Sequence, residues 1–312
     1  MQDEITKVKK VGRLRRSREL LKSSWQVLRL DKELLALPLI GILVSLGLII
    51  FAIGLVIASF AVHEPVFDVN IQNTANTQAI NGQLNWTGYV LLAIFVVAIT
   101  FISNFIATAI ARGALDRFDG QDPTIRNSLN AAKQRAGSIF KFSLLTLTVG
   151  VVLSLIRDRV PFAGKVLTWL GDLIWGVATF FVVPVLAMSA KPIGPIDATK
   201  QSARIIKKVW GESLIVNIGI GFIALISVVI YAPISVLLTV LAANLYAPFG
   251  LAIGLLALLG LFGIVLVFNV LEAIVKAAIY YWATTGKAPD TFNKELLRAS
   301  LTPKKARKIF AL

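Results

Sequence analysis

The sequence predicts an all-α, polytopic transmembrane helical bundle with six spans and with both termini on the cytoplasmic side. Hydrophobic residues make up 56% of the 312 residues. Six apolar segments are each long enough to cross a bilayer as a helix, which takes about 20 residues. The cationic residues fall almost entirely into alternate gaps between these segments. A β-barrel is disfavoured, because the segments are continuously apolar and do not alternate with polar residues.

The six spans are placed near 34–62, 88–111, 139–156, 167–189, 213–243 and 250–275. The region 213–285 has almost no polar break and could hold two long helices or three short ones. Three helices would put the C-terminal cations on the outer side, so two are predicted. We expect the turn at Asn244–Gly250, where Asn, Pro and Gly disfavour a continuous helix. Pro233 is expected to kink the fifth span.

Charge distribution predicts the orientation. Of the 32 Lys and Arg residues, 29 fall in the two terminal segments and in the gaps after the second and fourth spans. With 13 acidic residues, these segments carry a net charge of +16, whereas the other gaps carry −1. Cytoplasmic segments of membrane proteins are enriched in Lys and Arg. Three regions follow from this: a basic cytoplasmic amphipathic segment at 1–33, a six-span membrane domain at 34–285 and a basic cytoplasmic tail at 286–312.

A short pattern recurs before the first, third and fifth spans. Ser128–Lys133 is followed by Gly137, and Ser202–Lys207 is followed by Gly211, at an offset of 74 residues without a gap. Ser24–Arg29 matches the second copy at an offset of 104 residues, because the loop 63–87 makes the first unit longer. The pattern predicts three pseudo-repeated units, each with a short inner helix followed by a two-span hairpin.

The inner helices are predicted to be amphipathic and rich in cations. Such helices lie at the headgroup level and favour anionic lipid. A second interpretation is that they only anchor the inner face of the protein, as Lys and Arg flanks commonly do. The basic run near the C-terminus fits a lipid contact or a topology signal better than nucleic-acid binding. The candidate lipid contacts are Arg15, Arg18, Lys22, Arg29, Arg204, Lys207, Lys208, Lys304, Lys305, Arg307 and Lys308.

Polar residues within spans commonly mark functional sites. Glu272 and Lys276 are four residues apart and can pair on one helix face. They could form an ion or proton relay, or a structural pair near the inner boundary, where the aromatic residues 280–282 follow. Asp172 is expected near the outer end of its span, neutralised by Arg157 and Arg159. The full set of candidate intramembrane polar residues is Asn104, Asp172, Asn217, Asn269, Glu272 and Lys276.

Signals of enzyme chemistry are weak. The chain has no cysteine and one histidine, His63, at an outer boundary. It contains no metalloprotease, serine-hydrolase or phosphate-loop motif. Asp116, Asp119 and Asp122 resemble an ordinary solvated turn, and an intramembrane enzyme would require the cytoplasmic loops to assemble such acids into a site. We therefore expect no enzymatic activity, no catalytic or metal site and no cofactor.

Several stretches resemble a known family. The most specific are the sequence Ala-Thr-Phe-Phe-Val-Val-Pro at 178–184 and Trp-Gly-Glu at 210–212. Ser24-Trp25, Leu35–Pro38 and Phe101–Asn104 add to them. Together they resemble an uncharacterised family of prokaryotic six-span integral membrane proteins, a domain of unknown function. The resemblance implies this fold and a location in the prokaryotic cytoplasmic membrane, and it transfers no active residue.

Two functional hypotheses follow. The leading one is a non-enzymatic membrane component that engages anionic lipid headgroups, or a partner protein or second copy, through its basic cytoplasmic face. The alternative is a permease or channel component whose intramembrane polar residues line a path. A shared cavity lined by those side chains would favour the alternative. Polar groups paired in a dry bundle would favour the first hypothesis.

Overall fold

The computed structural model describes residues 13–61, 67–74, 77–189, 191–209, 212–292 and 297. Side chains are described for the same residues apart from 13–17, 61, 67–74, 77–83, 161–163, 208–209, 212–219 and 222. Six helical segments in this part of the chain are long and apolar enough to cross a membrane. The structure therefore confirms the predicted all-α, polytopic helical bundle.

The elements follow one another in three helix–hairpin groups. The first contains α1 (Arg13–Leu30), α2 (Glu33–Ala61) and α3 (Trp86–Phe118), with β1 (Phe67–Thr74) and β2 (Thr77–Leu84) between α2 and α3. The second contains α4 (Ile125–Gln134), α5 (Ala136–Arg159), α6 (Pro161–Thr179) and α7 (Val182–Met188). The third contains α8 (Pro195–Val209), α9 (Glu212–Leu245) and α10 (Ala247–Thr285). Each short inner helix thus precedes a pair of spanning segments, as the repeated sequence pattern predicted.

The loop between the first two spans contains a β-hairpin that the sequence analysis did not predict. Strands β1 and β2 pair antiparallel, with Phe67 opposite Leu84 and Thr74 opposite Thr77. The hairpin connects directly to α3 through Asn85. The side chain of Asn85 accepts a hydrogen bond of 3.0 Å from the Gly88 N–H and so caps the N-terminus of this helix.

The last two spans confirm the predicted turn. Helix α9 ends at Leu245, Tyr246 adopts an extended conformation, and α10 begins at Ala247 with a proline in its first turn. Proline suits this position, because the first N–H groups of a helix have no intrahelical acceptor. Pro233 lies inside α9.

The fourth span is broken into α6 and α7, whereas the sequence analysis treated 167–189 as one segment. Pro184 has no N–H to donate to the Phe180 carbonyl, so the regular helical bond between them is absent. The Phe181 N–H at the same break donates to a side chain of another helix, the Ser202 Oγ of α8, at 2.9 Å. The break is therefore stabilised by a side chain from the next inner helix.

The three inner helices pack in a cyclic order. Helix α4 contacts α2 and α3, the hairpin of the first group, and α8 contacts α5, α6 and α7 of the second. Helix α1 closes the cycle by contacting α9 and α10 of the third group. Each inner helix therefore rests mainly on the hairpin of the group before it, with the first helix joined to the last hairpin.

The repeated serine is buried in all three units. Ser24 and Ser202 are 0% exposed and Ser128 is 1% exposed. Ser202 accepts the hydrogen bond from Phe181, whereas the Oγ atoms of Ser24 and Ser128 have no hydrogen-bond partner among the described residues. Equivalent sequence positions thus occupy equivalent buried places with different local bonding.

The amphipathic character of the inner helices is present, but their apolar sides face the protein. In α1, Leu20, Val27 and Leu28 are buried, whereas Arg18, Lys22 and Arg29 are exposed. In α8, Ile205 and Ile206 are buried, whereas Arg204 and Lys207 are exposed. The side chains of Arg15 and Lys208, and all of Lys304, Lys305, Arg307 and Lys308, lie outside the described residues.

The buried core lies at the end of the bundle that carries the inner helices. It joins the apolar faces of α1 and α8 to the C-terminal parts of α3 and α10 and to α7. The outer parts of the spans instead expose large apolar side chains, such as Leu245 and Leu251. This division fits a protein whose spans contact hydrocarbon, because lipid tails do not drive apolar helices together as water does.

Polar contacts join the segments of the inner end. Arg117 pairs with the buried carboxylate of Asp31 and, at 2.7 Å, with Asp122. Arg112 pairs with Asp116 at 2.6 Å, and the Tyr281 hydroxyl donates to Asp119 at 2.8 Å. Each of the three acids of the 116–122 turn therefore has its own partner, and the turn is a structural junction as well as a solvated loop.

Arg135 holds the second group together at the same level. Its guanidinium donates to the Ala131 carbonyl at 2.8 Å and to the Ser189 carbonyl at 2.8 and 3.1 Å. Both carbonyls are at helix C-termini, where a cation is favourable. Burial, with a smaller effect from the Arg112 charge, lowers the pKa of Arg135, and the side chain stays charged at neutral pH because arginine has a very high intrinsic pKa.

Candidate functional site

A cavity of about 550 Å³ lies where the three groups meet. Every group contributes the second helix of its hairpin, namely α3, α6 with α7, and α10, and α5 completes the wall. The polar and aromatic residues that line it are Asn104, Phe142, Thr146, Asp172, Trp175, Thr179, Phe180, Asn269, Glu272 and Lys276. Its size falls in the range of small-molecule sites, roughly 300–1,000 Å³.

An ion pair forms the inner floor of the cavity. The Lys276 Nζ lies 2.7 Å from the Glu272 Oε1, one helical turn away on α10. The same ammonium lies 5.0 Å from the centre of the Phe180 ring, which is within the range of a cation–π contact. A carboxylate and an aromatic face therefore hold this ammonium together.

One wall is fixed by a hydrogen bond between spans. The Asn104 Nδ2 of α3 donates to the Ser143 Oγ of α5 at 2.9 Å, and Ser143 in turn donates to the Ile139 carbonyl at 2.9 Å. Interhelical bonding of this kind is the ordinary use of an intramembrane Asn. Asn104 thus has a structural partner and is also a lining residue of the cavity.

Three further polar groups of the lining have no protein partner among the described residues. The Asp172 carboxylate and the Asn269 amide are exposed and make no ion pair or hydrogen bond there. The Thr146 Oγ1 is buried and also has no hydrogen-bond partner. The two exposed groups are therefore accessible to water or to a polar ligand, whereas the Thr146 hydroxyl oxygen is a buried group without a described partner.

Asp172 lies in the outer half of the spanning region. A Cβ at the neighbouring Gly171 would meet the Leu153 side chain of α5 at 2.6 Å, which places this part of α6 level with Leu153. Leu153 is ten residues, about 15 Å, along α5 from the Asn104–Ser143 bond. A carboxylate at such a depth is costly unless it faces a hydrated cavity or a partner.

The expected neutralisation of Asp172 by Arg157 and Arg159 is not present, since no ion pair joins them in the described structure. Helix α6 begins at Pro161, six residues before the predicted start of this span. Asp172 is therefore about 16 Å along the helix from its outer end, three turns instead of one and a half.

A packed layer closes the cavity on its inner side. Phe181 is fully buried directly after Phe180, and buried residues continue through 109–111 of α3 and, apart from Lys276, through 274–279 of α10. The outer part of the bundle has no such layer within the described residues, because the large apolar side chains there are exposed. Asn269 and Asp172 lie on the outer side of the floor pair, as the directions of α10 and α6 require.

Five of the six predicted intramembrane polar residues line this one cavity, while the side chain of Asn217 lies outside the described residues. Three further residues of the lining, Thr146, Trp175 and Phe180, were not predicted as site residues. A signal was present in α6, where Asp172, Trp175 and Thr179 recur at helical spacing on one side of an otherwise apolar segment.

Comparisons with known proteins identify a family but no characterised relative. No curated protein and no solved structure matches the chain. Residues 86–290 match a family described as Family of unknown function (DUF6159). The match includes the Ala-Thr-Phe-Phe-Val-Val-Pro and Trp-Gly-Glu stretches, whereas Ser24-Trp25 and Leu35–Pro38 precede it. The match spans about two-thirds of the sequence, and the chain belongs to this family of unknown function.

Proposed function

We propose that this integral membrane protein is a permease or channel component that passes a small polar solute through the cavity between its three groups. The observation that carries this proposal is the convergence of Asn104, Asp172, Asn269, Glu272 and Lys276 on one cavity. Five polar residues from three different helices would not share a surface by chance in a bundle that only displays a basic face. The geometry favours this hypothesis over the lipid-engaging component.

The bonding state of the lining supports the proposal. A structural polar cluster would satisfy its members, yet Asp172, Asn269 and Thr146 have no protein partner among the described residues. The break between α6 and α7 adds a second argument, because discontinuous helices at binding sites are a recurring feature of transporters. Phe180 at this break contacts Lys276 at the cavity floor.

The closed inner layer supports a path with a gate. Phe181 and the buried residues of α3 and α10 separate the cavity from the basic face. A solute that entered from the outer side would stop at the Glu272–Lys276 pair until this layer opened. Transport would then require the three groups to move against one another.

Cysteine accessibility tests the proposal directly, because the chain contains no native cysteine. Asn269→Cys is introduced and treated in proteoliposomes with a neutral, water-soluble methanethiosulfonate, 2-hydroxyethyl methanethiosulfonate. We expect rapid modification. Leu258→Cys on the same helix is the matched control, since Leu258 is exposed but lies outside the cavity lining. A cysteine that faces hydrocarbon should react slowly, because its thiol is rarely ionised.

The same variants can contradict the proposal. If Asn269→Cys reacted no faster than Leu258→Cys, while both reacted fully after denaturation, the cavity would be dry. A path for a polar solute would then be absent. An impermeant reagent added to one side at a time further reports the access side, which the packed inner layer predicts to be the outer one.

We also propose the orientation and a second role for the basic face. In the cytoplasmic membrane of a prokaryote, both termini would be cytoplasmic, and the exposed cations of α1 and α8 would face anionic headgroups. The burial of their apolar sides favours binding by charge alone, without insertion of the helices. Neutral Gln in place of Arg18, Lys22 and Arg29 should reduce the stabilisation that phosphatidylglycerol gives over phosphatidylcholine. Equal stabilisation of both proteins would refute this role.

A further inference from the structure

The two ends of the cavity have related chemistry. At the inner end, the Glu272 carboxylate and the Phe180 ring hold the ammonium of Lys276, at 2.7 Å and 5.0 Å respectively. At the outer end, the cavity presents a carboxylate, Asp172, and an indole, Trp175, which are three residues apart on α6 and so share one face. No Lys, Arg or His of the described chain pairs with Asp172. The outer end thus has the carboxylate and the aromatic ring of an ammonium site without a protein ammonium.

From this we infer that the solute of the cavity is a small organic cation, a primary or quaternary ammonium compound, whose charged nitrogen binds between Asp172 and Trp175. This inference rests on the proposed function and assigns it a class of solute. Aromatic faces bind ammonium groups through the ring quadrupole, and Trp is the most effective of them. A nearby carboxylate adds a direct Coulomb attraction.

The charge of the lining gives an independent argument for a cation. The lining contains two carboxylates, Asp172 and Glu272, and one ammonium, Lys276, so its net charge is −1. The floor pair largely cancels, which leaves the Asp172 charge uncompensated. At the effective dielectric constant of a protein site, this charge attracts cations and repels anions more strongly than it would in bulk water.

The remaining lining suits an organic cation better than a bare metal ion. Trp175, Phe142 and Phe180 provide apolar contact, whereas the described residues contain no group of three acidic or histidine side chains that could hold a metal ion. Asn269 can bind a polar substituent of the solute, because its side chain is exposed and has no described hydrogen-bond partner. A volume of about 550 Å³ accommodates a solute much larger than ammonium itself.

The test uses the Asn269→Cys protein in proteoliposomes and three methanethiosulfonates. One reagent carries a trimethylammonium group, one a sulfonate and one a neutral hydroxyl. The rate at which each reagent modifies the cysteine is divided by the rate at which the same reagent reacts with 2-mercaptoethanol in solution, which corrects for differences in intrinsic reactivity. The corrected ratio is the corrected rate of the cationic reagent divided by that of the anionic reagent. We expect the cationic reagent to exceed the anionic one by about a hundredfold, because one unit charge about 10 Å away, at the effective dielectric constant of a protein site, favours the cation and disfavours the anion by roughly tenfold each.

Substitutions of single carboxylates test whether Asp172 causes the preference for the cationic reagent. Asp172→Asn should bring the corrected ratio close to one, and Asp172→Glu should retain it. Asp158→Asn is the matched control, because Asp158 is an exposed carboxylate at the outer end of α5 that does not line the cavity. The neutral reagent should react equally with all four proteins, which shows that the cavity is intact. Choline should also slow the neutral reagent, whereas 3,3-dimethyl-1-butanol, its uncharged isostere, should not.

The outcomes separate the two proposals. If the neutral reagent fails to modify Asn269→Cys, the permease proposal itself is wrong. If the neutral reagent reacts but the corrected ratio is near one, or if Asp172→Asn leaves a high ratio unchanged, the cavity is accessible and the assignment of a cationic solute is wrong. Protection by 3,3-dimethyl-1-butanol equal to that by choline would overturn the assignment in the same way.

Discussion

Glu272 and Lys276 form a 2.7 Å ion pair one turn apart at the cavity floor, so this floor contributes two charges of opposite sign. Replacing either residue by a neutral one therefore changes the net charge of the lining by one unit, from −1 to 0 or from −1 to −2. The position of each charge changes little, because both side chains project from the same face of α10. The preference of the cavity for cations over anions should therefore increase as this net charge becomes more negative.

We predict a graded response in the corrected cation-to-anion labelling ratio at Asn269→Cys. Glu272→Gln makes the lining neutral and should lower the ratio severalfold, and Lys276→Met makes it −2 and should raise the ratio. The double variant has a net charge of −1 again and should return close to the starting value. Equal ratios in all four proteins would show that the floor pair does not act on solutes in the cavity.

The bond between Asn104 and Ser143 should contribute measurably to stability. Asn104→Ala and Ser143→Ala each remove one partner of the 2.9 Å bond. Hydrogen bonds between membrane helices are worth about 0.6 kcal/mol on average, and a double-mutant cycle in bicelles should give a coupling energy of this size. Thr100→Ala is the control in α3, since its hydroxyl bonds only the Val96 carbonyl of its own helix. A coupling energy of zero would argue against the bond.

The repeated serines should differ in their contribution to folding. Ser202→Ala leaves the buried Phe181 N–H without its acceptor and should lower the free energy of unfolding by about 1–3 kcal/mol. Ser128→Ala, at the equivalent position, removes a hydroxyl without a described partner and should cost less than about 1 kcal/mol. Thermal unfolding of the two purified variants provides the comparison. Equal losses would mean that the packing volume of the serine matters and its hydrogen bond does not.

Loss of the ion pair between Arg117 and Asp31 should lower the stability of the protein more than loss of the ion pair between Arg117 and Asp122. Asp31 has a side chain only 3% exposed, so Arg117→Ala leaves a buried carboxylate without its cation and should lower the free energy of unfolding by about 3–5 kcal/mol. Asp122→Asn changes a partner that is 87% exposed and should cost less than about 1 kcal/mol. Adding Asp31→Asn to Arg117→Ala should recover part of the loss. No recovery would indicate that Arg117 acts through its packing.

The membrane spans were predictable because their signal is local. Runs of apolar residues determine which segments cross the bilayer, and the turn at Tyr246 was evident from its breaker residues. Helix ends were less predictable. Helix α3 continues to Phe118 and α10 to Thr285, beyond the predicted ends at 111 and 275, because their last turns pack in the inner core instead of in lipid. A hydropathy pattern does not show where a helix leaves the bilayer without ending.

The site was only partly predictable, for a different reason. Polarity within a span identified Asn104, Asp172 and Glu272 one at a time, but their convergence depends on which helices meet. Asp172 shows this most clearly. A start six residues too late placed it near the outer arginines, whereas its position three turns along α6 places it in the cavity. Trp175 and Phe180 were missed because aromatic residues in a span commonly contact lipid.

The cyclic packing of the inner helices also sets an order on biosynthesis. Helix α1 is the first described helix in the chain, yet its apolar residues Leu20, Val27 and Leu28 are covered by α9 and α10, which follow all the other described helices. Until the final hairpin inserts, this amphipathic helix has only the membrane surface to cover its apolar side. Closure of the ring therefore waits for the third hairpin, and a chain that stops before residue 247 leaves the same leucines without the cover of α10.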